Sequence, residues 1–291
     1  MPPSEPNHAL LGPERRRSIL PYNGALSGAM REHLLKQALR VLWFRPGAVR
    51  RVALGPLRGL VFRVSEVTGL SPWYSGTERA HQRAMSSLVR TGDVVIDVGA
   101  NWGLHTLLLS RLVGARGRVI ALEPLPEAFE ALRWHLGANG CHNVLPLSVA
   151  AADTEGIMRF IRGESTSEGA LDTRQSTNRA QAPGFDVPVR TLDSLVAELH
   201  LDGLRLVKVD VEGGESAVLS GAQQTLERHR PYLIVDLHTP EQDVRVGRIL
   251  TTHDYVLERL EGPPIRRADT GWPDPEGVWG SLLATPRERP D

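Results

Sequence analysis

Val94-Val95-Ile96-Asp97-Val98-Gly99-Ala100-Asn101-Trp102-Gly103, continued by the apolar Leu104-to-Leu112 stretch and closed by Val119-Ile120-Ala121-Leu122-Glu123, decides how this chain is read. The order is an apolar strand, a glycine-punctuated turn, an amphipathic helix, a second apolar strand and an acid at that strand's end. A βαβ unit of this kind builds a nucleotide site at its turn, because backbone N–H groups and the helix N-terminus face the ligand there. Glu123 stands twenty positions beyond Gly103, where a carboxylate can accept two hydrogen bonds from a ribose diol.

Outward from that unit, strands and helices keep alternating. Upstream, residues 50–54 and 59–64 flank Gly55-Pro56-Leu57-Arg58 as a hairpin, and a helix is expected over 78–90, preceded by Trp73-Tyr74. Downstream, Pro126 suits the first turn of a helix running to 138, and Asn139-Gly140 ends it. A third strand over 143–150 is interrupted by Pro146, which places it at an edge or distorts it. Residues 157–161 and 186–190 read as strands on either side of a polar stretch, 163–185, of lid length and almost without hydrophobic anchors. Core strands over 204–209 and 232–235 are each followed by a helix, over 215–229 and 241–252. Two last apolar runs, 255–260 and 278–284, read as a terminal hairpin with the Pro/Gly-rich stretch 262–277 as its loop. The pattern predicts a doubly wound α/β fold, with a mostly parallel sheet and an antiparallel edge strand.

The bulk numbers bound the function. A chain of 291 residues, 41% of them hydrophobic, buries one full core with appendages: a flexible tail over 1–20, a helix and hairpin over 21–72, a main domain over 73–284 and a short tail over 285–291. Lys+Arg and Asp+Glu both number 34, which argues against a protein that grips nucleic acid through its phosphates. The single cysteine, Cys141, rules out an intrachain disulfide framework. Neither a signal peptide nor a membrane span is legible, so a cytoplasmic location is the expectation. Residues 26–44 carry Leu26, Met30, Leu34, Leu35, Leu39, Leu42 and Trp43 at helical spacing with Arg31, Lys36 and Arg40 between them. Such a basic amphipathic helix suits peripheral contact with an anionic membrane; packing on the main domain, or on a second subunit in a homo-oligomer, is the simpler use.

The turn chemistry narrows the ligand. A dinucleotide loop places a glycine where Asn101 stands, and a P-loop places a lysine after its last glycine, where Leu104-His105 stand here. S-adenosylmethionine has no phosphate but has an amino-acid end, which Asp97 and Asn101 can address with acceptors and a donor. On these residues, with Glu123-Pro124, Asn143-Val144, Thr191-Leu192-Asp193-Ser194-Leu195, Lys208-Val209-Asp210-Val211-Glu212-Gly213 and the upstream Ser75-Gly76-Thr77-Glu78, the chain resembles the FkbM family of S-adenosylmethionine-dependent methyltransferases over about residues 73–284. The resemblance implies the class with a Rossmann-like seven-strand sheet. It matches Asp97, Gly99, Asn101, Trp102 and Gly103 to the loop around the methionyl part, Glu123 to the ribose acid and Ser148 to a position reaching the adenine amine, with Glu78 at the entrance. Trp102 is bulkier than the small apolar residue the family mostly carries.

The reacting end should lie beyond the carboxyl ends of the strands. Asp210, Glu212, Asp236 and His238 fall there, and residues two apart share a face of an extended strand. Methyl transfer to a hydroxyl needs alignment and removal of a proton, and His238 is the best base by its ordinary pKa. Lys208 is expected to partner a carboxylate. Asp210 and Asp236 suggest a Mg²⁺ site, but no second acid or amide follows Asp236, so no metal is expected. The reading is an O-methyltransferase acting on a hydroxyl of a small-molecule sugar, glycolipid or polyketide-type acceptor, with a non-catalytic cofactor-binding or assembly subunit as the alternative.

Overall fold

The first strands, β1 (Val49–Arg51) and β2 (Val61–Arg63), pair as the expected antiparallel hairpin. They belong to a computed structural model that describes residues 45–65, 79–162, 169–171, 184–260 and 280–288. The helix expected over 26–44, the Trp73-Tyr74 pair, Glu78 and the 262–277 stretch lie outside the described residues.

After the hairpin come α1 (Arg79–Leu88), β3 (Val94–Val98), α2 (Leu104–Val113), β4 (Arg118–Leu122), α3 (Pro126–Ala138), β5 (Val144–Leu147), β6 (Ala150–Ala151) and β7 (Gly156–Arg162). The chain continues with β8 (Gly169–Leu171), β9 (Gly184–Arg190), α4 (Leu192–Glu198), β10 (Leu204–Val209), α5 (Glu215–Ser220) and α6 (Gln223–Arg228). It ends with β11 (Tyr232–Asp236), α7 (Pro240–Thr252), β12 (Tyr255–Arg259) and β13 (Ser281–Pro286). Thr285 and Pro286, expected as tail, are therefore strand.

Seven strands form one sheet in the order β12-β13-β11-β10-β3-β4-β5. The five from β11 to β5 run parallel, and β13 is antiparallel to both β11 and β12, so the terminal hairpin closes the sheet one strand in from the edge. Central strands read as continuous apolar runs because both faces are covered. Ile96 and Val98 of β3 pack with Leu233 and Val235 on one face, and Val95 packs with Leu206 and Ile234 on the other. The chain steps from β3 outward through β4 to β5, then returns to the other side of β3 as β10. That reversal opens a crevice at the carboxyl ends of β3 and β10.

Three local expectations differ from the structure. The strand read over 143–150 is two: β5 ends at the sheet edge, and β6 pairs with β9 in a second sheet ordered β6-β9-β7-β8. The polar stretch 163–185 contains β8, which pairs with β7. The helix read over 215–229 breaks at Gly221, where an added Cβ would lie 2.1 Å from the Ala152 carbonyl oxygen, and α6 restarts under a cap from the Asp193 carboxylate to the Gln224 and Thr225 N–H groups. Thr191 accepts from Ser194 N at the start of α4, so both polar residues of Thr191-Leu192-Asp193 are caps. The hairpin packs on α3: the Asn139 side chain exchanges two 2.8 Å hydrogen bonds with the Val61 backbone, and His135 Nε2 accepts from Arg63 N at 3.0 Å. Among the described residues no helix is long and apolar enough to cross a membrane.

Candidate active site

A cleft of about 870 Å³, its open mouth included, occupies the crevice. Its floor is the β3–α2 turn, with Val98, Gly99 and Asn101; one wall is the end of β4 and the turn beyond it, Leu122 to Leu125. The opposite wall is the β10–α5 turn, Asp210 to Gly214, and the second sheet roofs it with Ala150 to Ala152, Phe160 and Leu171.

The turn is shaped by close approach. Gly99 has φ +75°, and a Cβ there would stand 1.8 Å from the Asp210 carbonyl oxygen. Only glycine lets the two strand ends meet so tightly. Asn101 sits at φ +49°, a left-handed conformation that Asn tolerates, and its Oδ1 accepts from Trp102 N at 2.9 Å. Its own N–H donates to Glu123 Oε2 at 2.7 Å, and Leu125 N donates to Oε1 at 2.8 Å. Each Glu123 oxygen thus accepts one backbone N–H and keeps a second lone pair. Burial pushes the Glu123 carboxyl up to about 7, against the pull of those N–H groups and Lys208.

Behind the turn, Lys208 is buried and bound on three sides: its Nζ lies 3.1 Å from Asp210 Oδ2, 3.3 Å from the Gly99 carbonyl and 3.7 Å from Asp97 Oδ1. Burial would pull the ammonium down, but Asp210, Asp97 and Asp236 together hold it above its ordinary value. Asp97 is fully buried and accepts from Thr106 Oγ1 at 2.6 Å. It organises the turn from beneath.

At the far end, four side chains meet. His238 Nε2 lies 3.5 Å from Asp210 Oδ1 and 3.4 Å from Glu212 Oε2, and its Nδ1 is 2.7 Å from Glu215 Oε1. Glu215 is fully buried at the start of α5 and also accepts from Gly213 N at 2.9 Å. Burial would lower the imidazole, but the Glu215 hydrogen bond and the charges of Glu212, Asp210 and Glu215 push it up to about 9. At neutral pH it is an imidazolium. That differs from the near-neutral base expected from the ordinary histidine value.

The structure therefore gathers Gly99, Asn101, Glu123, Asp210 and Glu212 around one cleft, with Asp97 beneath it and His238 behind the two acids. It turns the other candidates elsewhere. Trp102 is buried against Phe62, with ring centroids 5.7 Å apart, and against His135, because the hairpin offers its indole an apolar socket outside the cleft lining. Gly103 begins α2 against Leu132, where a Cβ would come within 2.7 Å. Ser148 is exposed and outside the cleft lining: β5 stops at Leu147, and Val149 and Ala150 form the wall instead. Asp236 does not converge with His238, since β11 ends at Asp236 and the alternation of faces ends with it. Its carboxylate is held by His81 Nε2 at 2.8 Å and Ser281 Oγ. Burial raises this carboxyl, but the His81 bond and charge, Lys208 and Ser281 hold it well below the usual range. Asn143 is structural as well, tying Ser110 and the Gly114 carbonyl at the end of α2.

Sequence reasoning missed the pairing of Glu215 with His238, the pairing of His81 with Asp236, and the roof residues Phe160 and Leu171. An acid directly after Gly213-Gly214 was a usable signal for Glu215; the others depend on long-range packing.

A strand-turn-helix loop with an asparagine in the turn, a buried acid at the end of the next strand and a cluster of acids across the cleft is the arrangement of a methyltransferase with a Rossmann-like fold. The Methyltransferase FkbM domain matches residues 97–262, more than half of the chain. The chain belongs to this family, whose methyl donor is S-adenosylmethionine. It is 26% identical over 212 residues to the hexuronic acid methyltransferase AglP of Haloferax volcanii, covering 71% of this chain and 83% of that one. To the 31-O-demethyl-FK506 methyltransferase FkbM of Streptomyces tacrolimicus it is 26% identical over 217 residues, covering 64% and 81%. Among solved structures, methyltransferase FkbM from Methylobacillus flagellatus superposes with a TM-score of 0.43 at 16% identity, covering 71% of this chain and 51% of that one.

Proposed function

We propose that this enzyme moves the methyl group of S-adenosylmethionine onto a hydroxyl oxygen of a small molecule of the sugar or polyketide type. The observation that carries the reading is a single cleft that joins the Gly99-Asn101-Glu123 loop to the Asp210-Glu212-His238 cluster. The residues suit the donor. Glu123 has a spare lone pair on each oxygen for a ribose diol, the Gly99 turn admits a ligand backbone closely, and Asp97, Asp210 and Glu212 favour a cationic ligand. Two relatives support the acceptor class by name, one specifying a hexuronic acid and the other 31-O-demethyl-FK506.

In the reaction the acceptor oxygen forms its bond to the methyl carbon as the carbon–sulfur bond breaks. The hydroxyl proton leaves to the carboxylate–imidazole cluster. Asp210 and Glu212 line the cleft and can hold the hydroxyl; His238, fixed by Glu215, stands behind them. Alignment of the reactants lowers the barrier by several kcal/mol. Positive charge arriving in the cleft favours loss of the His238 proton.

The test is incubation with methyl-labelled S-adenosylmethionine and a panel of sugars and hydroxylated macrolides, with mass spectrometry locating the methyl group on oxygen. His238→Ala should lose about 100-fold or more in turnover while keeping S-adenosylhomocysteine binding. Undiminished turnover would remove His238 from the reaction. Tight binding with no transfer to any acceptor would instead support a cofactor-binding or assembly subunit.

A further inference from the structure

We infer that Asp210, Glu212 and His238 form a divalent-cation site, of a donor set suited to Mn²⁺, at the acceptor end of the cleft. One ligand atom from each residue lies within 4.8 Å of the others. His238 Nε2 stands 3.5 Å from Asp210 Oδ1 and 3.4 Å from Glu212 Oε2. Ligands about 2.2 Å from a shared ion in neighbouring octahedral positions are about 3 Å apart, so closure needs only a small inward movement.

The surroundings resemble a metal site more than a chance surface cluster. The Nδ1 side of His238 is fixed by fully buried Glu215 at 2.7 Å, which leaves Nε2 as the nitrogen facing the two acids. A carboxylate behind a ligating imidazole is the usual means of setting its tautomer and orientation. Glu215 Oε2 is itself buried and has no hydrogen-bond partner among the described residues. Asp210 divides its oxygens: Oδ2 goes to Lys208 and Oδ1 to the cluster. The Asp210 and Glu212 side chains are 33% and 39% exposed toward the cleft, so an ion can enter and keep open positions. Asp236, the third acid that the sequence placed near this end, is turned to His81 and Ser281, and His238 supplies the third ligand in its stead.

The inference rests on the methyl-transfer reading. A bound cation would displace the Nε2 proton of His238 to solvent, take the acceptor hydroxyl as a ligand and lower its pKa. The proton would then leave to water, the oxygen–methyl bond would form as the carbon–sulfur bond breaks, and the products would be a methyl ether and S-adenosylhomocysteine.

The experiment titrates Mn²⁺ into chelator-stripped full-length protein and follows bound ion by electron paramagnetic resonance, independently of turnover. One saturable site per chain is expected, weakened at least tenfold in Asp210→Asn, Glu212→Gln and His238→Ala, and about tenfold or more in Glu215→Gln. Circular dichroism and the melting temperature, measured in parallel, identify the variants that remain folded. No saturable Mn²⁺ site, or an affinity unchanged in the folded variants, overturns the inference. Methyl transfer at full rate in stripped protein also overturns the catalytic role and leaves the transfer reading intact. Mn²⁺ bound at these residues with no acceptor methylated upholds the metal site and overturns that reading.

Discussion

Replacing Glu123 with glutamine separates two effects of one buried carboxylate. Burial raises its pKa from the ordinary 4.5 to about 7, so the folded protein holds this proton more tightly than the unfolded chain does. A carboxylate raised in the fold contributes stability that is fully present below 4.5 and is lost as pH climbs through 7. Complete ionisation in place therefore costs about 3 kcal/mol, of which about 2–3 kcal/mol falls between pH 5 and pH 8. Glutamine does not titrate. It also sets an amide donor against the Leu125 or Asn101 N–H, which lowers stability by about 1–3 kcal/mol at every pH. The difference between wild type and Glu123→Gln, measured by urea unfolding at both pH values, should move by about 2–3 kcal/mol in favour of glutamine on going to pH 8. S-adenosylhomocysteine should show the opposite trend. Its binding to wild type should tighten up to about tenfold per unit as pH rises toward 7, because the ionised carboxylate is the better acceptor for a diol. Parallel stability profiles for the two proteins would refute the buried-charge argument. A pH-independent affinity between 5.5 and 8 would refute the ribose role.

Two further outcomes test the packing around the cleft. His135 accepts from Arg63 N and donates to the Trp102 carbonyl at 2.8 Å; burial, aided by the Arg63 charge, outweighs these bonds and lowers it to about 4. A histidine depressed from 6.5 contributes stability that is present above 6.5 and lost as pH falls through 4, so wild type should lose about 3 kcal/mol over that range relative to His135→Ala, measured by chemical unfolding. Equal slopes for the two would contradict it. Gly99→Ala places a Cβ 1.8 Å from the Asp210 carbonyl oxygen in a left-handed residue, and should lower stability by more than about 3 kcal/mol and abolish S-adenosylhomocysteine binding in calorimetry. A melting temperature within a few degrees of wild type would show that the two strand ends do not need to meet there.

The difference between what could and could not be read in the chain comes from the range of the interactions. Asp97, Gly99, Asn101 and Glu123 belong to one continuous βαβ segment, whose geometry is set by strand period, turn length and helix start, and all of these are local. Lys208 could be read as a carboxylate partner because a charge inside an apolar strand needs one, although the register that sets it beside Asp97 is long-range. Trp102 escapes a local reading because its neighbours, Phe62 and His135, come from a hairpin and a helix distant in sequence, and a large apolar ring moves to whichever face buries it. The reacting end is half legible for a related reason. Alternation of faces is a property of strands, but β10 ends at Val209 and β11 at Asp236, so Glu212 and His238 lie past the reach of that rule. Glu212 takes φ +54° in the turn, and its carboxylate still meets that of Asp210 at His238, an arrangement made by the turn and not by strand alternation. His238 turns to Glu215 and the two acids, while Asp236 turns to His81 on a helix more than 150 residues earlier. Local pattern thus specifies the turn proposed to hold the methyl donor. The groups proposed to receive the acceptor are assembled where regular structure stops, and their roles depend on which side chain the tertiary fold sets against which.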